Sequence, residues 1–190
     1  MKAPRCERLA FADLAEYAGG DLPAADAAAI EEHLFLCADC GARAAEVDAL
    51  VRGIGLAVRS AEVGGFVTDA VLNRLARDGV RVRTYALAAG AVVPCAVWDG
   101  DELMALRLRG DFGGATALTL SQRVAGKEVS RASGHVAAAA AGEVIYVEPA
   151  AGVRQLPVVE VDIVLTTGEA GDERTIGTYT LVHGGVHQRS

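Results

Sequence analysis

The sequence contains no apolar segment long enough to cross a membrane. Its most apolar run, Tyr85 to Trp98, carries Pro94 and falls short of the roughly 20 residues that a helical span requires. The amino terminus, Met1-Lys-Ala-Pro-Arg-Cys-Glu-Arg-Leu-Ala10, lacks the apolar core of a secretion signal, so a cytoplasmic location is expected. Basic charge is also short. The formal net charge is -7 and the isoelectric point about 5.1, which argues against wrapping a phosphate backbone and suits a basic protein partner. Cysteine is scarce, with four in 190 residues, and in a reducing compartment a small cysteine cluster means metal more often than a disulfide framework. Missing too are a Gly-x-Ser-x-Gly elbow, a His-Glu-x-x-His helix, a phosphate-binding glycine loop and a marked pair of carboxylates. Without them, enzymatic turnover is not expected.

What is present begins with apolar content. Hydrophobic residues make up 52% of the chain, much of it alanine, so a core can form but from small side chains, and the chain is not disordered. The length allows one large or two small domains.

Three of the four cysteines and one histidine fall into one pattern. His33, Cys37 and Cys40 follow an H-x3-C-x2-C spacing, and Cys6 lies upstream with 26 residues between it and His33. If the segment from about Pro23 to Cys37 is helical, His33 and Cys37 project from one face, because residues four apart are neighbours on a helix. Cys40 then sits at the start of a further helix, where free N–H groups and the helix dipole favour a thiolate. Such cysteines can also be ordinary small core hydrophobes. The histidine one turn earlier and the further cysteine ahead of it favour zinc, and a Cys3His shell is closed, with no position left for a catalytic water. One structural Zn(II), held by Cys6, His33, Cys37 and Cys40, is the expectation.

Apolar residues from Cys6 to Tyr17 fit a helix stopped by Gly19-Gly20, and a second helix starts near Pro23, where the missing N–H costs nothing. A third runs from Cys40 or Gly41 to Arg52, interrupted by Gly53 and Gly55. Three such helices with an alanine-heavy core are marginal alone, and zinc binding, on the order of 10 kcal/mol in finger peptides, offsets this. The stretch from Gly53 to Gly65 reads as a linker. A helix pattern returns from Phe66 to Asp78, with Phe66, Val67, Val71, Leu72 and Leu75 as its apolar residues. That helix packs either on its own molecule or on a partner.

Beyond Arg81 the hydrophobic period changes to two. Candidate strands are Arg81 to Leu87, Ala91 to Trp98, Leu106 to Arg109, Leu118 to Ser121, Val144 to Val147, Val159 to Leu165 and Thr175 to His183, with Gly168 to Asp172 as the loop of the last hairpin. About seven short strands suit a β-sandwich or a small barrel. The expected class is therefore α+β with two domains: residues 1–55 zinc-binding and three-helical, 56–80 a linker and docking helix, and 81–190 an all-β sandwich, with a small barrel or cupin-like fold as the alternative.

Cys6, the stretch Leu14 to Leu22, the helix beginning at Pro23, and His33, Cys37 and Cys40 together resemble the zinc-associated anti-sigma domain, over roughly residues 4–52. The resemblance implies a protein that holds an extracytoplasmic-function sigma factor in the cytoplasm and hides the surfaces that bind RNA polymerase core. The helix at 66–78 would be the further helix that lies between the two sigma domains. Release by oxidation of the zinc thiolates, or by a signal reaching the β-domain, are the two modes it implies. Residues 1–60 carry ten acidic against six basic residues, and that balance would speed association with a basic partner.

The resemblance does not extend to a metal-binding cupin, since the β-region offers only His135 and the pair His183 and His187, read here as surface or tail residues. Cys95 reads as a core residue. The alternatives to an anti-sigma factor are a zinc-containing β-domain enzyme or small-ligand sensor, and, more weakly, a nucleic-acid-binding zinc module.

Overall fold

The structure, a computed structural model, describes residues 9–59, 64–115, 117–135, 142–168 and 173–187. The element order is α1 (Phe11–Gly19), α2 (Ala24–Leu36), α3 (Ala38–Arg59), β1 (Gly65–Val67), α4 (Asp69–Arg77), β2 (Val82–Ala88), β3 (Val92–Trp98), β4 (Leu103–Arg109), β5 (Ala117–Val124), β6 (Lys127–His135), β7 (Glu143–Pro149), α5 (Ala150–Arg154), β8 (Val159–Thr167) and β9 (Arg174–His187). The expected helical amino-terminal region followed by a β-sheet domain is what forms, and its strands make two open sheets rather than a closed barrel.

The helices end where local chemistry ends them. In α1, the Asp13 carboxylate accepts the Ala10 N–H at 2.9 Å, closing the first turn. Gly20 takes a left-handed φ of 79° and donates its N–H back into the last turn. Pro23 caps α2 as expected. The expected helix start at Cys6 lies outside the described residues. The third helix departs from expectation, for α3 runs 22 residues and passes through Gly53 and Gly55 without a break. An interior glycine costs only about 1 kcal/mol against alanine, which a long helix tolerates. Leu14, Ala18 and Val47 form the small core of the three helices, with Leu34, Ala44 and Val51 packed against it.

The segment from 66 to 78 also departs. Phe66 and Val67 belong to strand β1, which pairs antiparallel with β7, and the helix begins only at Asp69, capped by the Thr68 hydroxyl accepting the Val71 N–H. The apolar face of α4 is occupied within the chain. Leu72 and Leu75 are buried against Leu103, Ala105, Ile145 and Val147 of the sheet, with Val67 and Val71 alongside. Phe66 packs edge-to-face on Tyr146, centroids 5.6 Å apart. Of the five residues expected to dock a partner, Leu72 and Leu75 are buried against the protein's own sheet, and Phe66, Val67 and Val71 pack beside it half-buried. Arg107 of β4 ties the start of α4 down through Asp69, and also pairs with Glu143 at 2.7 Å.

The sheet under α4 has the strand order β1-β7-β4-β2, and a second sheet has the order β3-β9-β8-β5-β6. Leu106, Leu108, Val144 and Tyr146 of the first sheet meet Leu118, Leu120, Ile163, Leu165 and Tyr179 of the second, forming the main core. The four-stranded sheet is therefore covered on both faces, which explains why β4 reads Leu103-Met-Ala-Leu rather than alternating. Two strand pairs, β2 with β4 and β3 with β9, are parallel.

Strands β5 and β6 form a hairpin whose two-residue loop is Ala125-Gly126, with φ of 50° and 75°. Both values are positive, as the tight primed turn requires, and Ala125 is the one non-glycine residue with positive φ among those described. The left-handed conformation costs a residue with a Cβ about 1 kcal/mol or more. Ala125→Gly is accordingly expected to raise stability by up to about 1 kcal/mol, read from a chemical denaturation midpoint.

Candidate metal centre

The site is built by a single-residue corner between two helices. Cys37 ends α2 in an extended conformation, φ -123° and ψ 100°, and donates its N–H to the His33 carbonyl at 2.9 Å. Its own carbonyl accepts the Gly41 N–H at 2.9 Å and so opens the first turn of α3. Because the chain turns on one residue, Cys40 in that first turn is carried back beside the last turn of α2. The ligand-type atoms of His33, Cys37 and Cys40 all lie within 4.8 Å of one another, His33 and Cys37 half-buried and Cys40 buried.

The donor set fits zinc. Bonds of about 2.0–2.3 Å in a tetrahedron place neighbouring ligand atoms about 3.5 Å apart, and the three ligand atoms here already lie within 4.8 Å of one another. One imidazole nitrogen and two sulfurs match a borderline-soft cation. The three described ligands are thus brought together, and Cys6 lies outside the described residues. A group positioned to bind one metal ion, in a sequence of zinc-finger character, makes zinc the cofactor.

The helices around the corner also show what sequence reasoning missed. Phe35 is 91% exposed and Leu36 77% exposed, immediately before Cys37. Two positions on from His33 is roughly 200° around the helix, so Phe35 must face away from the metal. That geometry was available in the sequence. Phe11, Leu50 and Leu56 are also more than half exposed.

The remaining histidine reading is corrected. His183 is fully buried in β9, with its Nδ1 3.8 Å from the Cys95 sulfur, rather than placed on the surface or a tail. The main chain of His187 lies in β9 as well, and its side chain lies outside the described residues. Cys95 is in the core, as expected.

Residues 7–41 match a family model described as "Putative zinc-finger", the domain typical of zinc-associated anti-sigma factors. The match contains His33, Cys37 and Cys40. No curated protein matches the chain. Among solved structures, the N-terminal domain of phage TP901-1 ORF48 is similar at 14% identity, over 54% of this chain and 98% of that one, with a TM-score of 0.36. At that score the likeness carries no argument. Among the described residues no helix is long and apolar enough to cross a membrane.

Proposed function

We propose that this protein is a zinc-containing anti-sigma factor, which sequesters an extracytoplasmic-function sigma factor in the cytoplasm and keeps it from RNA polymerase core. The observation that carries the reading is the zinc-finger match over residues 7–41 together with Phe35 and Leu36 held in solvent beside the metal corner. A metal-locked helix end that presents two large apolar side chains to water is a recognition surface in search of a hydrophobic groove. Inhibition of this kind is stoichiometric and needs no turnover. Zinc positions the surface, and loss of zinc by thiolate oxidation, or a signal reaching the β-sandwich, would release the partner.

The docking surface assigned here is Phe35 and Leu36 at the exposed end of α2 rather than α4, whose Leu72 and Leu75 are buried against the sheet. The test is a pull-down of the tagged, zinc-loaded chain from its native cell extract under reducing conditions, with bound proteins identified by mass spectrometry. Recovery of a two-domain sigma factor in near-equal amount is the expected result. Its absence would leave the amino-terminal helices as a zinc scaffold with another role.

A further inference from the structure

We propose that the β-sandwich contains a binding site for a small organic cation, a primary ammonium carried on an apolar body, in the cavity between the two sheets that α5 helps to wall. The inference is independent of the anti-sigma reading, since it uses neither the helices nor the zinc. The cavity has a volume of about 330 Å³ and is lined by residues of both sheets.

Its chemistry centres on Glu148. On β7 the side chains of Val144 and Tyr146 enter the main core, and the twofold repeat of a strand sends Glu148 the same way. A carboxyl group therefore stands between the sheets where an apolar residue would pack. It accepts one hydrogen bond, from Gln122 Nε2 to Oε2 at 2.8 Å, and Gln122 is itself buried. Among the described residues no lysine or arginine lines the cavity to balance the carboxylate. Burial pushes its pKa up to about 6, and the side chain nonetheless keeps partial exposure where it faces the cavity.

The titratable groups around Glu148 do not supply the missing charge. Burial pushes the Cys95 thiol on β3 up to about 11 and the Tyr146 phenol on β7 up to about 12, with the Glu148 charge adding to both shifts. Burial lowers the pKa of His183 on β9, against an opposing contribution from the Leu156 backbone, and Nε2 reaches no hydrogen-bond partner in good geometry. At neutral pH Glu148 is thus the one charge among the described residues of the cavity wall. An ammonium group brings three donors and a positive charge to that carboxylate.

The size admits a small organic molecule. The volume equals roughly ten waters at liquid density, at the lower end of small-molecule sites. A bare metal ion is not favoured, because among the described residues the only three-ligand cluster is that of His33, Cys37 and Cys40. Met104, Val153, Leu156, Val161 and Leu181 supply the apolar surface that a carbon body would cover.

The experiment is calorimetric titration of benzylammonium chloride into the zinc-loaded full chain, with benzyl alcohol and benzoate as the neutral and anionic analogues. One ammonium per chain is expected to bind, with the alcohol and benzoate weaker by about tenfold or more, as expected when a buried charge loses its partner. Affinity should rise as the pH is raised through about 6, because the carboxyl must give up its proton to hold the cation. Glu148→Gln should weaken binding by about tenfold or more, since the amide keeps the shape and loses the charge.

A second variant guards against a folding defect. A Cβ added at Gly152 of α5, which lines the cavity, would meet nothing within 4 Å, so Gly152→Leu fills the space without displacing backbone. It should abolish binding while leaving the circular dichroism unchanged. No heat and no shift with benzylammonium, tighter binding of benzoate, or equal binding by the folded Glu148→Gln protein would each overturn the proposal.

Discussion

Stripping the metal with a strong chelator is expected to unfold helices α1 to α3 while the β-sandwich stays folded. The three helices share a core of only Leu14, Ala18 and Val47 with a few half-buried neighbours, far less than the nineteen buried residues that join the two sheets. Such a small unit has little stability of its own, whereas structural zinc contributes on the order of 10 kcal/mol to the folding of the segment that binds it. The corner at Cys37 concentrates that effect. Apart from the Leu34 contact with the small helical core and the local backbone hydrogen bonds of the corner, the metal is what would tie His33 to Cys40 and hold α2 turned back on α3.

Far-ultraviolet circular dichroism should therefore lose helical signal on chelation, and amide exchange should accelerate in residues 11–52 but not in β4 or β8. His33→Ala, Cys37→Ser and Cys40→Ser should each reproduce the effect. Retention of full helicity after verified loss of zinc would show that the metal is not structural.

The second large effect separates two helices that look alike in sequence. Leu75→Ala is expected to destabilise the protein by about 2–5 kcal/mol, the usual cost of truncating a buried leucine, because Leu75 is 4% exposed between α4 and the sheet. Phe35→Ala should change stability by less than about 0.5 kcal/mol, being almost wholly in solvent. In partner binding the order reverses. If Phe35 anchors the complex, its truncation should cost about 2 kcal/mol or more of binding free energy, as large aromatic anchors do. Denaturant melts and titration with the recovered sigma factor measure the two quantities separately. A stable Leu75→Ala protein that had lost its partner would return the docking role to α4.

The contrast has a physical origin. Residues 69–77 show one apolar stripe, and any amphipathic helix must cover that stripe with something. A stripe does not say whether the cover is the protein's own sheet or another chain. Here the cover was a sheet whose second face is also apolar, and the sign of that lay in the unbroken run Leu103-Met-Ala-Leu of β4. Conversely, Phe35 and Leu36 lie in a helix that is apolar on most sides, so no stripe marks them as exposed.

The strands missed in sequence were those with least periodicity. Strand β1 has three residues, too few to show a repeat, and β6 stands at the edge of its sheet, where the polar run Lys127-Glu-Val-Ser-Arg is a normal way to discourage further pairing. Its hairpin was also concealed, because the turn uses Ala125 where asparagine or glycine would have announced it. The seven longer candidates all form, most with ends extended by a few residues.

By itself the sequence determined the metal corner and the change from helix to strand. Both depend on spacings of a few residues, four along a helix for His33 and Cys37 and two along a strand for the β-region, and backbone geometry sets those spacings wherever the chain goes. Only the tertiary structure decided that α4 closes over its own sheet, that α3 carries through two glycines, and that Glu148 and His183 come to stand together around one cavity. Those outcomes join residues tens of positions apart. They follow from which surfaces are available to bury each other, and no local repeat records that choice.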